Sequence, residues 1–387
     1  MLIKSWTVDL LRRWYAVFTI YCFKNKLYKK NPLLKIINVD EAVSLGCAKF
    51  HEQGLTTLAR NKLPDLYIDD AYQRGHFENY SPEGRERHHR HGVIEISNSF
   101  FSFPYPIHRV KKYVISGGMG ESLKYLCAPL FLLGYFGTFI PPRKKLDTAI
   151  LLALPYYDNF YHWMIETLPR IHMLEHDDKY NNIPIVLPKK RTPKFIIETL
   201  NLCGWGERIQ YLDNGSYSVK KLYIPTLYSP RNEPCSESIE WLNDNICDKG
   251  YIPINGIDSV EFQNIYISRD DADTRGCINS EDVDSLLNEL GFKKINMTDY
   301  SIQDQAYIFS KAKVIIGLHG AALTNIAFTS SECSFIEIFM DGWFTRAFFN
   351  LSRLRKNKYG YLLCKKEGNG IIVDTNKLRT LVQKITD

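Results

Sequence analysis

The chain has 387 residues, more than twice the length of a typical single domain, which favours two or three domains. Its residues are 45% hydrophobic, 13% aromatic and 24% charged, a composition that supports a large packed core and excludes global disorder, a collagen-like repeat or a coiled coil. Lys and Arg outnumber Asp and Glu by 49 to 43, a mild excess that suits an anionic small molecule or a membrane surface better than nucleic acid.

The first 30 residues form a basic, amphipathic N-terminal segment. The run LLRRWYAVFTIYCF from Leu10 to Phe23 precedes four lysines, and its uncharged part is about half as long as a membrane-spanning helix. The run ends in bulky residues, so it does not indicate a signal peptide. Two interpretations remain, an interfacial helix on anionic lipid and a helix that packs on the protein itself.

The nine cysteines include no CxxC pair, which indicates neither a disulfide framework nor a zinc site. Since no spanning anchor is predicted either, we expect a cytoplasmic protein. It would be held peripherally on the inner face of the plasma membrane if the N-terminal segment binds lipid.

The first half of the chain alternates predicted strands and helices. Strands are predicted at 148–154, 183–187, 208–212 and 218–224, and helices at 160–174 and 193–202. The uncharged stretch 125–142 is interrupted by prolines and glycines, which favours buried core or a hydrophobic acceptor groove over a spanning helix. The basic run RERHHRH at 85–91 lacks metal-ligand spacing and predicts a solvated loop.

A turn-rich stretch at 236–256, which includes a short helix at 237–248, is the predicted linker. The elements predicted after it are strands at 264–268, 292–295, 313–318 and 334–339, and helices at 281–290, 302–311, from 321 onward and at 347–356. This alternation predicts an α/β fold with helices on both faces of a parallel sheet. We therefore expect two Rossmann-like domains, at 31–235 and 257–387, with a cleft between them.

The strongest candidate site follows the strand in VIIGLHGAALTN at 314–325, because ligands in such folds bind beyond the carboxyl ends of strands. Small residues there allow a ligand close to the backbone, and amides at a helix start favour phosphate oxygens. His319 would donate beside those amides, and Thr324 and Asn325 could reach a diphosphate or ribose. The alternative is a tight turn in which the small residues merely pack. The candidate residues are His319, Gly320, Ala321, Ala322, Thr324 and Asn325.

A second candidate site lies in IYISRDDADTR at 265–275, which places Ser268 and Arg269 at a strand end and Arg275 six positions after Arg269. Arginine's rigid fork suits a diphosphate, so we assign these three residues to phosphate binding, with ion pairing to nearby aspartates as the alternative. Asp271 and Asp273 also form a DxD pattern, which other sugar transferases use to hold a divalent ion.

A third candidate site lies in the segment 158–170, DNFYHWMIETLPR, which follows the strand predicted at 148–154. Asp158 or Asn159 can cap the helix, and His162 and Glu166 then lie one turn apart on one face. His162 is the preferred general base for an acceptor hydroxyl, with Glu166 and Asp158 as the other catalytic candidates. In the alternative interpretation, Glu166 pairs with Arg170 and Asp158 is only a cap.

Together these segments resemble glycosyltransferase family 61. The resemblance rests on four ordered motifs, YHW…E…LPR, IYISR with a second arginine, GLHGAALTN and FIEI, and covers about residues 148–361. Ala322 stands where the family more often has glycine, and SSEC at 330–333 stands where a proline–glycine turn is usual.

The resemblance implies a GT-B architecture and inverting sugar transfer without an essential metal or other cofactor. The domain at 257–387 would hold a nucleotide sugar, of UDP type, with Glu337 accepting from ribose hydroxyls at a strand end. The domain at 31–235 would hold a glycan or lipid-linked glycan acceptor, and the family relatives suggest bacterial capsule or surface-polysaccharide synthesis. The remaining partner is an anionic membrane; nucleic acid is not expected. A metal-dependent, GT-A-like transferase and a non-catalytic nucleotide- or glycan-binding protein are the alternatives.

Overall fold

The computed structural model describes residues 35–58, 66–67, 87–115, 137–154, 156–229, 232–247, 251–253, 257, 260–270, 275–342 and 345–387. The N-terminal segment 1–30, most of the stretch 125–142 and the two aspartates of the DxD pattern lie outside these ranges. Within the part of the chain described, no helix is both long enough and apolar enough to cross a membrane.

The fold combines sixteen described strands with helices of three kinds. In chain order the strands are β1 Lys35–Ile37, β2 Lys49–Leu58, β3 Leu66–Tyr67, β4 Arg87–Phe103, β5 Ile107–Arg109, β6 Tyr113–Ile115, β7 Lys144–Ile150, β8 Ile185–Pro188, β9 Ile209–Leu212, β10 Gly215–Pro225, β11 Asn264–Ile267, β12 Lys293–Ile295, β13 Val314–Leu318, β14 Ser334–Met340, β15 Lys358–Glu367 and β16 Gly370–Ile372. The α-helices are α1 Val39–Ser44, α2 His172–Glu175, α3 Lys194–Leu202, α4 Ser236–Ile246, α5 Ser280–Glu289, α6 Ile302–Lys311, α7 Ala347–Leu354 and α8 Thr375–Thr386. A π-helix spans His162–Thr167, and 3-10 helices span Leu168–Ile171, Asp178–Tyr180, Gly206–Arg208, Met297–Asp299 and Ala321–Phe328.

The chain divides into two compact units. The first unit contains the described residues within Met1–Leu55, Arg90–Asp158 and Arg170–Arg231. Its main sheet has the strand order β2-β4-β10-β7-β8-β9, with β5 also paired to β4. Strands β10, β7, β8 and β9 run parallel, as the alternating pattern predicts, but β4 runs antiparallel to β10. The sheet of the first half is therefore mixed. The sequence did not predict this, because a hydrophobic run indicates a strand but not its direction.

The second unit contains the described residues within Thr56–His89, Asn159–Pro169 and Asn232–Asp387. Its sheet has the order β12-β11-β13-β14-β15-β16, with β3 also paired to β15. All of these strands run parallel except β16, which is antiparallel to β15. All five residues of the central strand β13 are buried, as expected for a strand with both faces covered. The carboxyl end of β13 leads directly into His319 and Gly320.

The strands and helices predicted from 264 onward are confirmed with shifts of one or two residues at their ends, and those predicted between 148 and 224 are confirmed with shifts of up to four. The helix at 237–248 is also present, as α4, and by its contacts it belongs to the second unit. Residues 87–91, predicted as a solvated loop, instead begin the long strand β4. There Arg90 donates to Glu52 and Asp40, so this basic residue forms ion pairs along the strand.

Candidate active site

A short hydrogen bond at the end of β13 joins His319 to Glu337 on the neighbouring strand β14. The Nδ1 atom of His319 lies 2.5 Å from Oε1 of Glu337, and Oε2 of the same carboxylate accepts a 2.7 Å hydrogen bond from the Tyr359 hydroxyl on β15. The side chain of Glu337 is 0% exposed and that of His319 is 11% exposed. Three adjacent parallel strands thus supply one buried network, which fixes the orientation of the His319 ring.

Both carboxylate oxygens of Glu337 thus have side-chain partners within the sheet. It lies inside β14 with its side chain buried, and its expected role toward ribose hydroxyls stays a prediction. Its contacts make it a positioning residue for His319. Burial and the neighbouring Glu337 carboxylate raise the pKa of the Tyr359 hydroxyl well above its ordinary value, so the hydroxyl stays protonated and continues to donate.

The guanidinium group of Arg269 lies against the backbone of Gly320. A Cβ atom built on Gly320 would stand 1.8 Å from Nη1 of Arg269 and 3.0 Å from its Cζ, so the close approach requires glycine. The 3-10 helix that follows makes its first bond from the Leu323 amide to the Gly320 carbonyl, at 3.0 Å. The amides of Ala321 and Ala322 therefore have no partner within that helix. An arginine head and a helix start therefore meet at this point.

Thr324 and Asn325 point into the protein. The Thr324 hydroxyl donates to the Ala321 carbonyl at 2.6 Å, and Nδ2 of Asn325 donates to Oε1 of Gln305 at 2.9 Å. Their exposed fractions are 1% and 0%. Both side chains thus stabilise the turn and its packing on α6, and their expected contact with a diphosphate or ribose stays a prediction.

Ser268 and Arg275, the other two residues of the second candidate site, lie in two different settings. Ser268 is buried and its amide donates to the Ile295 carbonyl, which ties the end of β11 to β12. Arg275 has a φ of 60° and its amide donates to the Asn369 carbonyl at 2.7 Å, near the turn between β15 and β16. Burial lowers the pKa of the Arg275 guanidinium from its ordinary value. Among the described residues, no group of three or more His, Cys, Asp or Glu side chains could hold a metal ion.

The second histidine–carboxylate pair lies on the π-helix His162–Thr167. The Nδ1 atom of His162 is 2.8 Å from Oε2 of Glu166, and the other carboxylate oxygen accepts a 2.9 Å hydrogen bond from the Asn232 amide. The side chain of His162 is 20% exposed and that of Glu166 is 6% exposed. The predicted juxtaposition of these two residues is therefore present, and Glu166 is held from two sides. π-Helices are rare and are frequent at functional sites.

The residues on either side of this pair have structural partners of their own. Asn159, and not Asp158, begins the helix, because its Oδ1 accepts from the Tyr161 and His162 amides at 3.0 and 3.4 Å. Asp158 is instead ion-paired with Arg191. Arg170, considered as a partner for Glu166, is 1% exposed and donates to the Leu152 and Pro225 carbonyls.

Aromatic contacts connect the two histidine–carboxylate pairs within the second unit. Phe348 of α7 meets Tyr161 edge-on, with ring centroids 5.6 Å apart, and its ring centroid lies 5.2 Å from that of His319. His319 also stacks on Phe339 at 5.0 Å. The sequence interpretation missed Phe348 and Tyr359, since nothing in their local sequence distinguishes them from ordinary core aromatics.

The same span of the chain matches a known family model. Residues 160–336 match the model described as Glycosyltransferase 61, a stretch that includes His162, Glu166, Arg269, His319 and Gly320. Among curated proteins, none matches the chain. The family-model match covers the histidine–carboxylate pair of the π-helix and the Gly320 turn, and it shows that this part of the chain is similar to glycosyltransferase family 61.

Proposed function

We propose that the protein is an inverting glycosyltransferase that moves a sugar from a nucleotide sugar, of UDP type, to a hydroxyl of a glycan acceptor. The observation that carries this proposal is the His162–Glu166 pair, held by the Asn232 amide, in the same compact unit as the Arg269–Gly320 contact. The resemblance to the family supports a GT-B architecture for the two units. It also supports the choice of donor.

His162 is the proposed general base. A carboxylate only accepts hydrogen bonds, so the Nδ1 atom that faces ionised Glu166 carries the ring proton, and Nε2 is the nitrogen that can take another. Glu166 is a positioning residue in this scheme, because it fixes the tautomer and stabilises the imidazolium that forms. The Asn232 amide holds the carboxylate in place for this task.

The proposed donor site uses Arg269, His319 and the amides of Ala321 and Ala322. These groups are hydrogen-bond donors, and a departing nucleoside diphosphate gains negative charge as the bond to the sugar breaks. The buried Glu337 and Tyr359 orient His319 so that its Nε2 can act toward the ligand. Gly320 allows Arg269 to come close to the helix start.

The reaction is a single displacement. The acceptor oxygen bonds to the anomeric carbon on the face opposite the diphosphate, the bond from that carbon to the diphosphate oxygen breaks, and the acceptor proton moves to Nε2 of His162. The configuration therefore inverts, and the electron pair of the broken bond stays on the diphosphate. Binding that strengthens as this charge develops lowers the barrier.

The base assignment is tested with His162→Ala. Loss of base catalysis should lower kcat by roughly 10² to 10⁴, with UDP affinity little changed, because the proposed phosphate ligands remain. Glu166→Gln should cost less than His162→Ala. The matched control is His172→Ala, which removes a histidine 2.9 Å from Glu175 on the neighbouring helix and should keep normal kcat.

Near-normal turnover in His162→Ala with a large loss in Glu166→Gln would assign the base to the carboxylate. A metal-independent reaction should also tolerate a chelator. Loss of turnover in chelator, restored by a divalent ion, would favour the alternative built on Asp271 and Asp273.

We also propose the setting of this activity, bacterial capsule or surface-polysaccharide synthesis on the inner face of the plasma membrane. The aromatic and basic composition of residues 1–30 supports it. Deletion of these residues should release the protein from anionic liposomes while leaving transfer to a soluble acceptor intact. If the full-length chain does not bind such liposomes at low salt, the segment has another role.

A further inference from the structure

Helix α7 carries two arginines and an asparagine on one face. Arg346 precedes the helix, Asn350 follows four residues later and Arg353 three residues after that, and these intervals place all three on the same side. Along the axis the two arginines are about 10 Å apart, given the rise of an α-helix. We call Arg346, Asn350 and Arg353 the arginine face.

The arginine face is attached to the proposed catalytic pair through its central residue. Nδ2 of Asn350 donates to the Asn232 carbonyl at 3.1 Å, and the Asn232 amide donates to Glu166 at 2.9 Å. Phe348 of the same helix contacts Tyr161 and His319. Helix α7 thus contacts both parts of the proposed site within one compact unit, and it places the arginines on either side of the link to Glu166.

Burial and neighbouring charges act on both arginines of this face. Burial lowers the pKa of both guanidinium groups from the ordinary value, the charge of Arg346 lowers that of Arg353 further, and Glu233 acts in the opposite direction. Arg353 is therefore half-buried beside a second cation, Arg346. The Nε atom of Arg353 is buried, and it has no hydrogen-bond partner among the residues that the structure describes.

The neighbouring Arg355 provides a contrast. Its guanidinium donates to the Thr329 carbonyl through Nε at 2.8 Å and through Nη2 at 2.5 Å, so it holds the chain together. Arg353 makes no such bond through its Nε. A half-buried cation of this kind is costly for the protein alone, and an anion would offset that cost.

We propose that the arginine face binds a phosphate group of a substrate, either the diphosphate of the nucleotide sugar or a phosphate that links the acceptor to a lipid. The inference rests on the proposed function, since it assigns the substrate to the same reaction. Arginine forks hold phosphate oxygens in pairs, and Asn350 keeps the helix in register with Glu166. The phosphate would then lie at the catalytic pair.

The test uses calorimetry on wild type, Arg353→Gln and Arg346→Gln, with Arg379→Gln as the matched control. Arg379 is an exposed arginine of the same unit and already pairs with Glu289 at 2.7 Å. If the phosphate comes from the nucleotide, UDP should bind at least about tenfold more weakly to Arg353→Gln and Arg346→Gln, and normally to the control. Arg353→Lys should retain part of the affinity, because it keeps the charge without the fork.

If the phosphate comes from the acceptor, UDP affinity should be unchanged in all variants. Inorganic pyrophosphate should then bind to the UDP-saturated wild type and to the UDP-saturated control. Its affinity for UDP-saturated Arg353→Gln should be at least about tenfold lower. Unchanged binding of both UDP and pyrophosphate in Arg353→Gln and Arg346→Gln would overturn the proposal. So would the absence of pyrophosphate binding where UDP affinity is also unchanged.

Thermal denaturation separates a binding role from a structural one. Arg353→Gln removes a half-buried charge, so it should melt at or above the wild-type temperature if the arginine is there for a ligand. A marked fall would show that Arg353 stabilises the fold and would contradict the proposal. If wild type does not bind UDP at all, the proposed function fails, and pyrophosphate titration alone still tests the arginine face.

Discussion

The guanidinium group of Arg269 occupies the position that a side-chain methyl group on residue 320 would need. Gly320 has an extended backbone, with φ of −174°, so other residues could adopt its conformation. What excludes them is the arginine head at 1.8 Å from the Cβ position. The steric constraint on Gly320 therefore depends on Arg269, although the two residues belong to different strand ends.

Gly320→Ala should weaken UDP binding by roughly ten- to a hundredfold, because the methyl group displaces a charge-assisted donor. Stability should change little, since the displaced atoms are the far end of a flexible side chain. In the Arg269→Ala background, adding Gly320→Ala should cause almost no further loss of UDP affinity. Calorimetry on the four proteins measures this coupling, and wild-type affinity in Gly320→Ala would refute it.

At the scale of single residues, the sequence predicts which positions lie at a strand end, but not which side chains are already engaged. Arg269, His319 and Gly320 were identified because their types and their place after apolar strands suit phosphate. Glu337 and Asn325 met the same criteria. Their partners, Tyr359 and Gln305, come from β15 and α6, and only the assembled sheet brings them within hydrogen-bond distance.

At the scale of elements, the segment from His162 to Glu175 shows what helical spacing can and cannot predict. Its apolar positions predict a single helix, and the chain is indeed helical throughout. The helix type changes, however, from π to 3-10 to α. Pro169 lies within the 3-10 part and has no amide hydrogen to donate, so a regular bonding pattern cannot continue through it. Periodicity alone does not reveal this change.

The start of this segment gives a direct test of which residue caps it. Asn159→Ala removes the acceptor for two amides and should lower the free energy of unfolding by about 1 kcal/mol. Asp158→Ala breaks a partly exposed ion pair with Arg191 and should cost less. Urea titration of both variants makes the comparison. A larger loss for Asp158→Ala would reverse the assignment.

Four strands of the first half, β7 to β10, were predicted from their apolar runs, whereas β4 was not predicted. Residues 93 to 96, VIEI, have an apolar pattern suited to a sheet interior. One partner of β4 is β10, more than a hundred residues later, with Phe103 opposite Gly215. The polar run RERHHRH predicted a loop. In the structure Arg90 of this run forms ion pairs with Asp40 and Glu52, which lie about 40 to 50 residues earlier in the sequence, so the local sequence does not reveal them.

At the scale of the whole molecule, one buried histidine governs part of the response to acid. His108 on β5 is fully buried, and burial, reinforced by the charge of Arg170, lowers its pKa to about 4. The unfolded chain, with an ordinary histidine pKa near 6.5, therefore binds more protons between these two values. The contribution of neutral His108 to the free energy of unfolding is complete above about pH 6.5 and is lost as the pH falls toward 4.

We expect the free energy of unfolding to fall by about 2 kcal/mol from this group between pH 7 and pH 5. Urea unfolding at both pH values, followed by tryptophan fluorescence, measures the total change. In His108→Phe the change should be smaller by that amount, since phenylalanine does not titrate. Equal changes in the two proteins would mean that other groups account for the acid response.

The second unit is assembled from three separate stretches of chain, and this has a consequence for how the protein is made. The ribosome releases His162 and Glu166 long before Asn350, and α8 of the same unit ends at Thr386. Since domains fold as units, a nascent chain carries the π-helix segment before the partners of its surroundings exist. A fragment that begins at residue 232 would likewise contain the parallel sheet without β3 and without the His162–Glu166 pair. Premature termination before Asn350 should therefore yield chains in which the pair lacks the support that α7 gives it through Asn232.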